Sequence, residues 1–282
     1  MNQATRSTIP PDAKLQVTKG YAPQFGQLSR LLNYIASRPD DARIPVADII
    51  QSTGLSRPHA INMSSLAGAM GLLIPRVLRL TDIGLLVTQH DPFFDDLGTL
   101  WLCHYVIASN PRHIVWNRIA NTILPAAHGP TRITAQEHFA DLRGRYTDKT
   151  VKRHVTKEIG RTLRAYTVHR FRNLDYLLES ADGYYLADTP APVTALILLA
   201  SIVVYRDAVQ PAATGLEIPL LCNGENSPGR IMHLSEWRLR ETLETLRRQK
   251  HIEIESRANL DQIRFLGEVF PAAVLAQYYE ER

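Results

Sequence analysis

IPVADIIQSTGLSRPHAINMSSLAGAMGLL, Ile44 to Leu73, is the stretch on which the reading of this chain turns. Pro45 suits the start of a helix, and Val46, Ile49 and Ile50 give it a short apolar face. Gly54 then breaks the helix. Ser56 is placed to cap a second helix with Pro58 in its first turn, and Ile61, Met63, Leu66 and Met70 supply its apolar positions. Two short helices joined through a glycine turn form a helix-turn-helix pattern. The following IPRVLRLTDIGLLVT, Ile74 to Thr88, reads as two short strands that turn back at Leu80-Thr81-Asp82-Ile83-Gly84, the outline of a wing.

Working outward, residues 1–23 are polar and proline-bearing and read as a flexible arm. Leu28, Leu31, Leu32 and Ile35 then recur at helical spacing, ending at Arg38-Pro39. Residues 24–91 therefore make a first winged-helix-like module. Residues 92–130 read as two linking helices broken at Asn110-Pro111, with Asp95 or Asp96 capping the first. Residues 131–190 make a second, basic module: a helix over 134–142, a turn at Gly144, a helix capped by Thr147, and a hairpin turning at Ala181-Asp182-Gly183. Residues 191–282 form a third helical, winged-helix-like unit. In it the apolar Val193–Tyr205 helix precedes a helix capped by Ser235 and a hairpin around Ala258-Asn259. The predicted fold class is mainly α: tandem winged helix-turn-helix modules with short β wings, joined by core helices.

Composition narrows the function. The chain has 282 residues, 45% hydrophobic and 21% charged, as an ordinary globular protein has. Its net charge of +4 is unevenly spread. Residues 1–130 carry 11 basic against 8 acidic side chains, residues 131–172 carry 11 against 4, and residues 173–282 carry 10 against 16. Cys103 and Cys222 cannot build a disulfide framework, which points to the reducing cytoplasm. The N-terminus lacks the apolar core of a signal peptide. Val193–Tyr205 is too short to span a bilayer, so no membrane partner is expected.

The ten histidines show no H-E-x-x-H spacing, and no C-x-x-C pair occurs. Asp91, Asp95 and Asp96 are explained by helix capping. No G-x-G-x-x-G, G-x-x-x-x-G-K-[ST] or G-x-S-x-G occurs. The expectation is a protein that is not an enzyme, with no metal and no cofactor.

The basic block resolves into one helix, TDKTVKRHVTKEIGRTLRAY, Thr147 to Tyr166. At about 100° per residue, Val151, Val155, Ile159 and Leu163 form one row. Lys149, Arg153, Lys157 and Arg161 form another, roughly 200° away, flanked by Lys152 and Arg164. Like charges at this spacing repel by a few tenths of a kcal/mol per pair. The row therefore needs a polyanion, the acidic C-terminal part of the chain, or plain solvation to face. Arg143 and Arg145 precede the helix. A helix fits the DNA major groove, and Lys and Arg contacts to phosphate supply most sequence-independent affinity. The first-module helix, with Arg57, His59, Asn62 and Ser64 as its polar members, reads as a packed or interface helix. The Ser235–His251 helix alternates Arg238, Arg240, Arg247 and Arg248 with Glu236, Glu241 and Glu244, as a solvated face does.

The segment L-T-D-I-G … D-P-F-F-D-D-L-G-T-L-W-L-C-H-Y, Leu80 to Tyr105, resembles the bacterial domain-of-unknown-function family numbered four thousand and seven. The shared positions are Asp95, Asp96, Thr99, Leu100, Trp101, Leu102 and His104, then Trp116. The resemblance implies a helical, winged-helix-like protein. It also implies a gene context of DNA-modification or anti-phage systems that include sulfur-transfer enzymes, and it carries over no catalytic residue. The expected function is a DNA-binding accessory protein of a prokaryotic defence or DNA-modification system. Double-stranded DNA would be held on the phosphates by Arg143, Arg145, Lys149, Lys152, Arg153, Lys157, Arg161 and Arg164. Few Asn or Gln side chains stand on the helix, so little base discrimination is expected. The competing expectation is a non-enzymatic adaptor that docks protein partners of such a complex through winged-helix surfaces.

Overall fold

The first helices follow the quoted stretch closely. In the computed structural model, which describes residues 9–39, 44–257 and 260–282, α1 (Phe25–Ala36) packs on α2 (Val46–Thr53) and α3 (Arg57–Ala69). Gly54 ends α2 in the left-handed conformation at φ 68°. Ser56 takes the extended cap conformation, but its hydroxyl makes no capping bond. A short hairpin follows, β1 (Leu73–Ile74) with β2 (Arg79–Leu80), in the register Leu73↔Leu80 and Ile74↔Arg79.

The expected wing is corrected at its second half. The chain turns at Pro75–Leu78 rather than at Leu80–Gly84, and Asp82–His90 is a helix, α4. Thr81 is its N-cap: the hydroxyl accepts from Gly84 N at 3.0 Å and donates to Gly71 O at 2.6 Å. Gly84 lies directly on the hairpin, where a Cβ would stand 1.9 Å from Leu72 O. A short apolar run cannot by periodicity alone be told from a buried helix. Here the cap and the close approach decide it.

The middle of the chain supplies the core. In α5 (Leu97–Ser109), buried side chains lie all round the helix, with Trp101 and Tyr105 fully enclosed. It packs on α6, made of Ile114–Arg118, a π-helical turn Ile119–Ile123 and Leu124–Ala126. The expected helix over 134–142 is shorter. After α7 (Ala135–His138), capped by Thr134, Phe139 leaves the helical region at φ −135° and ψ 20° to bury its ring, and Ala140–Leu142 is a 3-10 turn. The basic helix α8 consists of Asp148–Thr150, a π-helical turn Val151–Val155 and Thr156–Thr167. It leads through a 3-10 turn into the hairpin of β3 (Leu177–Ser180) and β4 (Gly183–Leu186).

The apolar α9 (Ala195–Val209) is buried against α5. Beyond it, β5 (Gly215–Glu217), the short α10 (Ile218–Asn223), α11 (Pro228–Ile231), and α12 (Glu236–Arg248) precede β6 (Ile252–Arg257) and β7 (Leu260–Phe265). The expected terminal hairpin is present, and β5 joins it as a third strand in the order β5-β7-β6. Its turn at Ala258-Asn259 lies outside the described residues. The closing helix α13 (Pro271–Glu280) packs on both α9 and α4, so the end of the chain meets its first third. The result is a mainly helical protein with small sheets, whose buried apolar side chains run from Val17 to Leu275 in one core. Among the described residues no helix is long and apolar enough to cross a membrane.

Residues 9–23 of the expected flexible arm are not loose, and residues 1–8 lie outside the described residues. Lys14 N donates to Arg112 O at 2.7 Å, Asp12 pairs with Arg112 at 3.0 Å, and Val17 and Thr18 are buried.

Candidate nucleic-acid interface

Thr147 caps α8 by accepting from Thr150 N at 3.2 Å. From there one side of the helix enters the core through Val151, Val155, Ile159, Leu163 and Tyr166. Lys149, Lys152, Arg153, Lys157 and Arg164 are exposed. Among the described residues none of these five has a carboxylate partner. The acidic C-terminal part does not neutralise the strip. Its carboxylates pair locally, Asp261 and Glu236 with Arg240 and Glu244 with Arg247.

The row drawn from an even helix loses one member. Arg161 lies at the edge, half-buried, where its Nε donates to Gly20 O at 3.2 Å. Arg164 stands exposed with the others. The two arginines ahead of the helix are also committed within the molecule. Arg143 pairs with Asp148 at 3.5 Å. Arg145 donates to the carbonyls of Ile9, Pro10 and Pro11 at 2.9, 2.8 and 2.7 Å. Of the eight residues singled out in the sequence, five thus form an open strip and three hold neighbouring backbone or a carboxylate.

Glu158 has a role that its place in a charge count does not reveal. It is fully buried, and four donors converge on it. Val17 N, Thr18 N and Trp116 Nε1 reach Oε1 at 2.9, 3.1 and 3.0 Å, and Thr18 Oγ1 reaches Oε2 at 2.7 Å. Burial pushes the carboxyl pKa above its ordinary value, while the bonds from Thr18, Val17 and Trp116 pull it back. The acid in the middle of the basic helix thus faces inward and clamps the N-terminal segment, which leaves Asp148, paired with Arg143, as the acid on the helix's outer side. That segment brings up Lys14 and Lys19, both exposed, which the sequence reading passed over as part of a flexible arm.

The motif shared with the resembling family is architectural here. Asp96 caps α5, accepting from Thr99 N at 2.7 Å, and also binds Tyr278 Oη at 2.9 Å and Arg282 at 2.6 Å. Asp91 accepts from Asp95 N and Asp96 N at 2.8 and 3.1 Å. His104 is wholly enclosed by Trp101, Tyr166, Phe171 and Tyr176. Its Nε2 lies 3.0 Å from Ile231 O and its Nδ1 2.6 Å from Tyr166 Oη. Burial lowers its pKa to about 4. The ring is therefore neutral, donating from Nε2 and accepting the tyrosine proton at Nδ1. Among the described residues no group of three or more His, Cys, Asp or Glu side chains could hold a metal ion.

No functionally curated protein matches the sequence. Two solved structures share the fold. A structure described as the magnesium ion-bound SspB crystal structure is 17% identical with a TM-score of 0.73, covering 93% of this chain and 87% of its own. A second, described as the SspB crystal structure, is 15% identical with a TM-score of 0.69, covering 94% and 86%. At these identities the likeness is one of fold. The model of a family of proteins of unknown function, DUF4007, matches residues 75–279, and the chain belongs to that family.

Proposed function

We propose that this protein is a DNA-binding, non-enzymatic accessory component of a prokaryotic DNA-modification or defence system. It would grip duplex phosphates through the outer face of α8, its helix–hairpin units serving as winged-helix-like modules. The observation that carries the reading is the open strip: five exposed cations on one helix, none of them ion-paired among the described residues, and the helix's own glutamate turned into the core. Such a face raises the local concentration of a polyanion and steers its approach. The residues of the strip are Lys and Arg, which position a duplex without reading its sequence. The gene context that the family resemblance implies supports a place beside DNA-modifying proteins.

Fluorescence anisotropy with a labelled duplex tests it. Wild-type protein should bind at low salt, and the triple variant K149E/R153E/K157E should lose that binding while keeping its melting temperature. No binding by the wild type, or equal binding by the variant, refutes the reading.

A second reading, the protein-docking adaptor, draws on α12, where Trp237 is 68% exposed. Exposed tryptophans are enriched at protein interfaces. It predicts stoichiometric partners that survive nuclease treatment and are lost with Trp237→Ala.

A further inference from the structure

A cleft of about 1320 Å³ opens between α3, the loop joining β1 to β2, and residues 12–19. Pockets for small ligands occupy about 300–1,000 Å³, so this volume is generous for one and suits part of a polymer. Besides Arg112, four cations stand on its walls: Lys14 and Lys19 on the N-terminal segment, Arg76 on the loop and Arg79 at the start of β2. All four are exposed, and among the described residues none has a carboxylate partner. The acid on the wall, Asp12, is taken by Arg112. The loop sits directly on α3: a Cβ at Gly68 would come within 2.3 Å of Pro75 Cγ. Leu78 closes the loop at φ 51°, a left-handed conformation that a residue with a Cβ adopts at a cost.

The cleft adjoins the basic helix. Gln16, on its wall, holds His154 of α8 through both amide atoms, Nε2 to His154 O at 3.4 Å and Oε1 to His154 Nδ1 at 2.7 Å. Arg161 of α8 binds the carbonyl of Gly20, next to Lys19. Among the described residues no phenylalanine, tyrosine or tryptophan lines the cleft, and its one ring, His113, is buried, so these residues offer no open platform on which unpaired bases would stack. Its helix wall presents Ile61 and Ser65, which offer little to read base edges. Cations over an apolar floor, continuous with an open cationic strip, fit a sugar-phosphate backbone.

Resting on the DNA-binding reading above, we infer that the contact surface does not end at α8. It crosses residues 12–19 into this cleft, where Lys14, Lys19, Arg76 and Arg79 take phosphates of the same duplex.

The test is the salt dependence of duplex binding by anisotropy, with the full chain as wild type, R76A/R79A, K14Q/K19Q and the strip variant K149E/R153E/K157E. Each phosphate contact contributes about 0.9 to the slope of log K against log salt. Each double variant should therefore flatten the slope by about 2. Two pairs from separate segments are used so that one decides if the other disturbs folding. Wild-type slopes in both double variants, with binding lost in the strip variant, overturn the cleft alone. A wild type that does not bind DNA overturns the underlying reading as well.

Discussion

Replacing Glu158 with alanine should uncouple the N-terminal segment from the basic helix. The carboxylate is 0% exposed and accepts four hydrogen bonds, two of them from the backbone of Val17 and Thr18. Each buried donor left without an acceptor costs about 1–3 kcal/mol, and part of that is recovered if the segment lifts and water enters. The expected loss is therefore about 3–5 kcal/mol, in the range seen when one partner of a buried charged network is removed. Glu158→Gln keeps the side-chain volume but sets an amide N–H₂ among donors, so it rescues only part. Chemical denaturation reads the global loss. Hydrogen exchange reads the local one, with the Val17 and Thr18 amides protected in the wild type and exposed in the variant. A variant within 1 kcal/mol of wild type, with both amides still protected, would refute the clamp.

Thr81→Ala removes the cap of α4 and its bond to Gly71 O, and should cost about 1–2 kcal/mol with Thr81→Ser restoring most of it; a silent substitution would favour the strand originally expected there. His104 and His113 are held neutral, with pKa values lowered to about 4 by burial. The unfolded chain takes up protons at these rings from about pH 6.5 downward, so the stability they contribute is present above that pH and lost as pH falls toward 4. For His104 this amounts to about 3 kcal/mol across the window. An NMR titration should show the His104 ring still uncharged at pH 6, and an imidazolium there would contradict the assignment.

How much of this was legible beforehand depended on how local the determining contact was. Gly54 between two apolar helical faces needs no tertiary information, and α2 and α3 lie where the spacing places them. The cations of α8 were legible for the same reason. The second half of the wing was not, because whether Ile83-Gly84-Leu85-Leu86-Val87 is strand or helix turns on Thr81 capping and on Gly84 meeting Leu72. The withdrawal of Arg161 from the open strip could not be read, because it turns on the carbonyl of Gly20, 141 residues away. Nor could the docking of residues 9–23, since a glutamate on a basic helix looks like a surface counter-charge until its partners, 42 to 141 residues away, are in place. Lys14 and Lys19 were hidden with them.

The central claim is that the outward strip of α8 meets phosphates, and the slope of log K against log salt tests it most directly. Five contacts at about 0.9 each predict that alanine at Lys149, Lys152, Arg153, Lys157 and Arg164 together flattens the slope by about 4.5. A folded quintuple variant with the wild-type slope would contradict it.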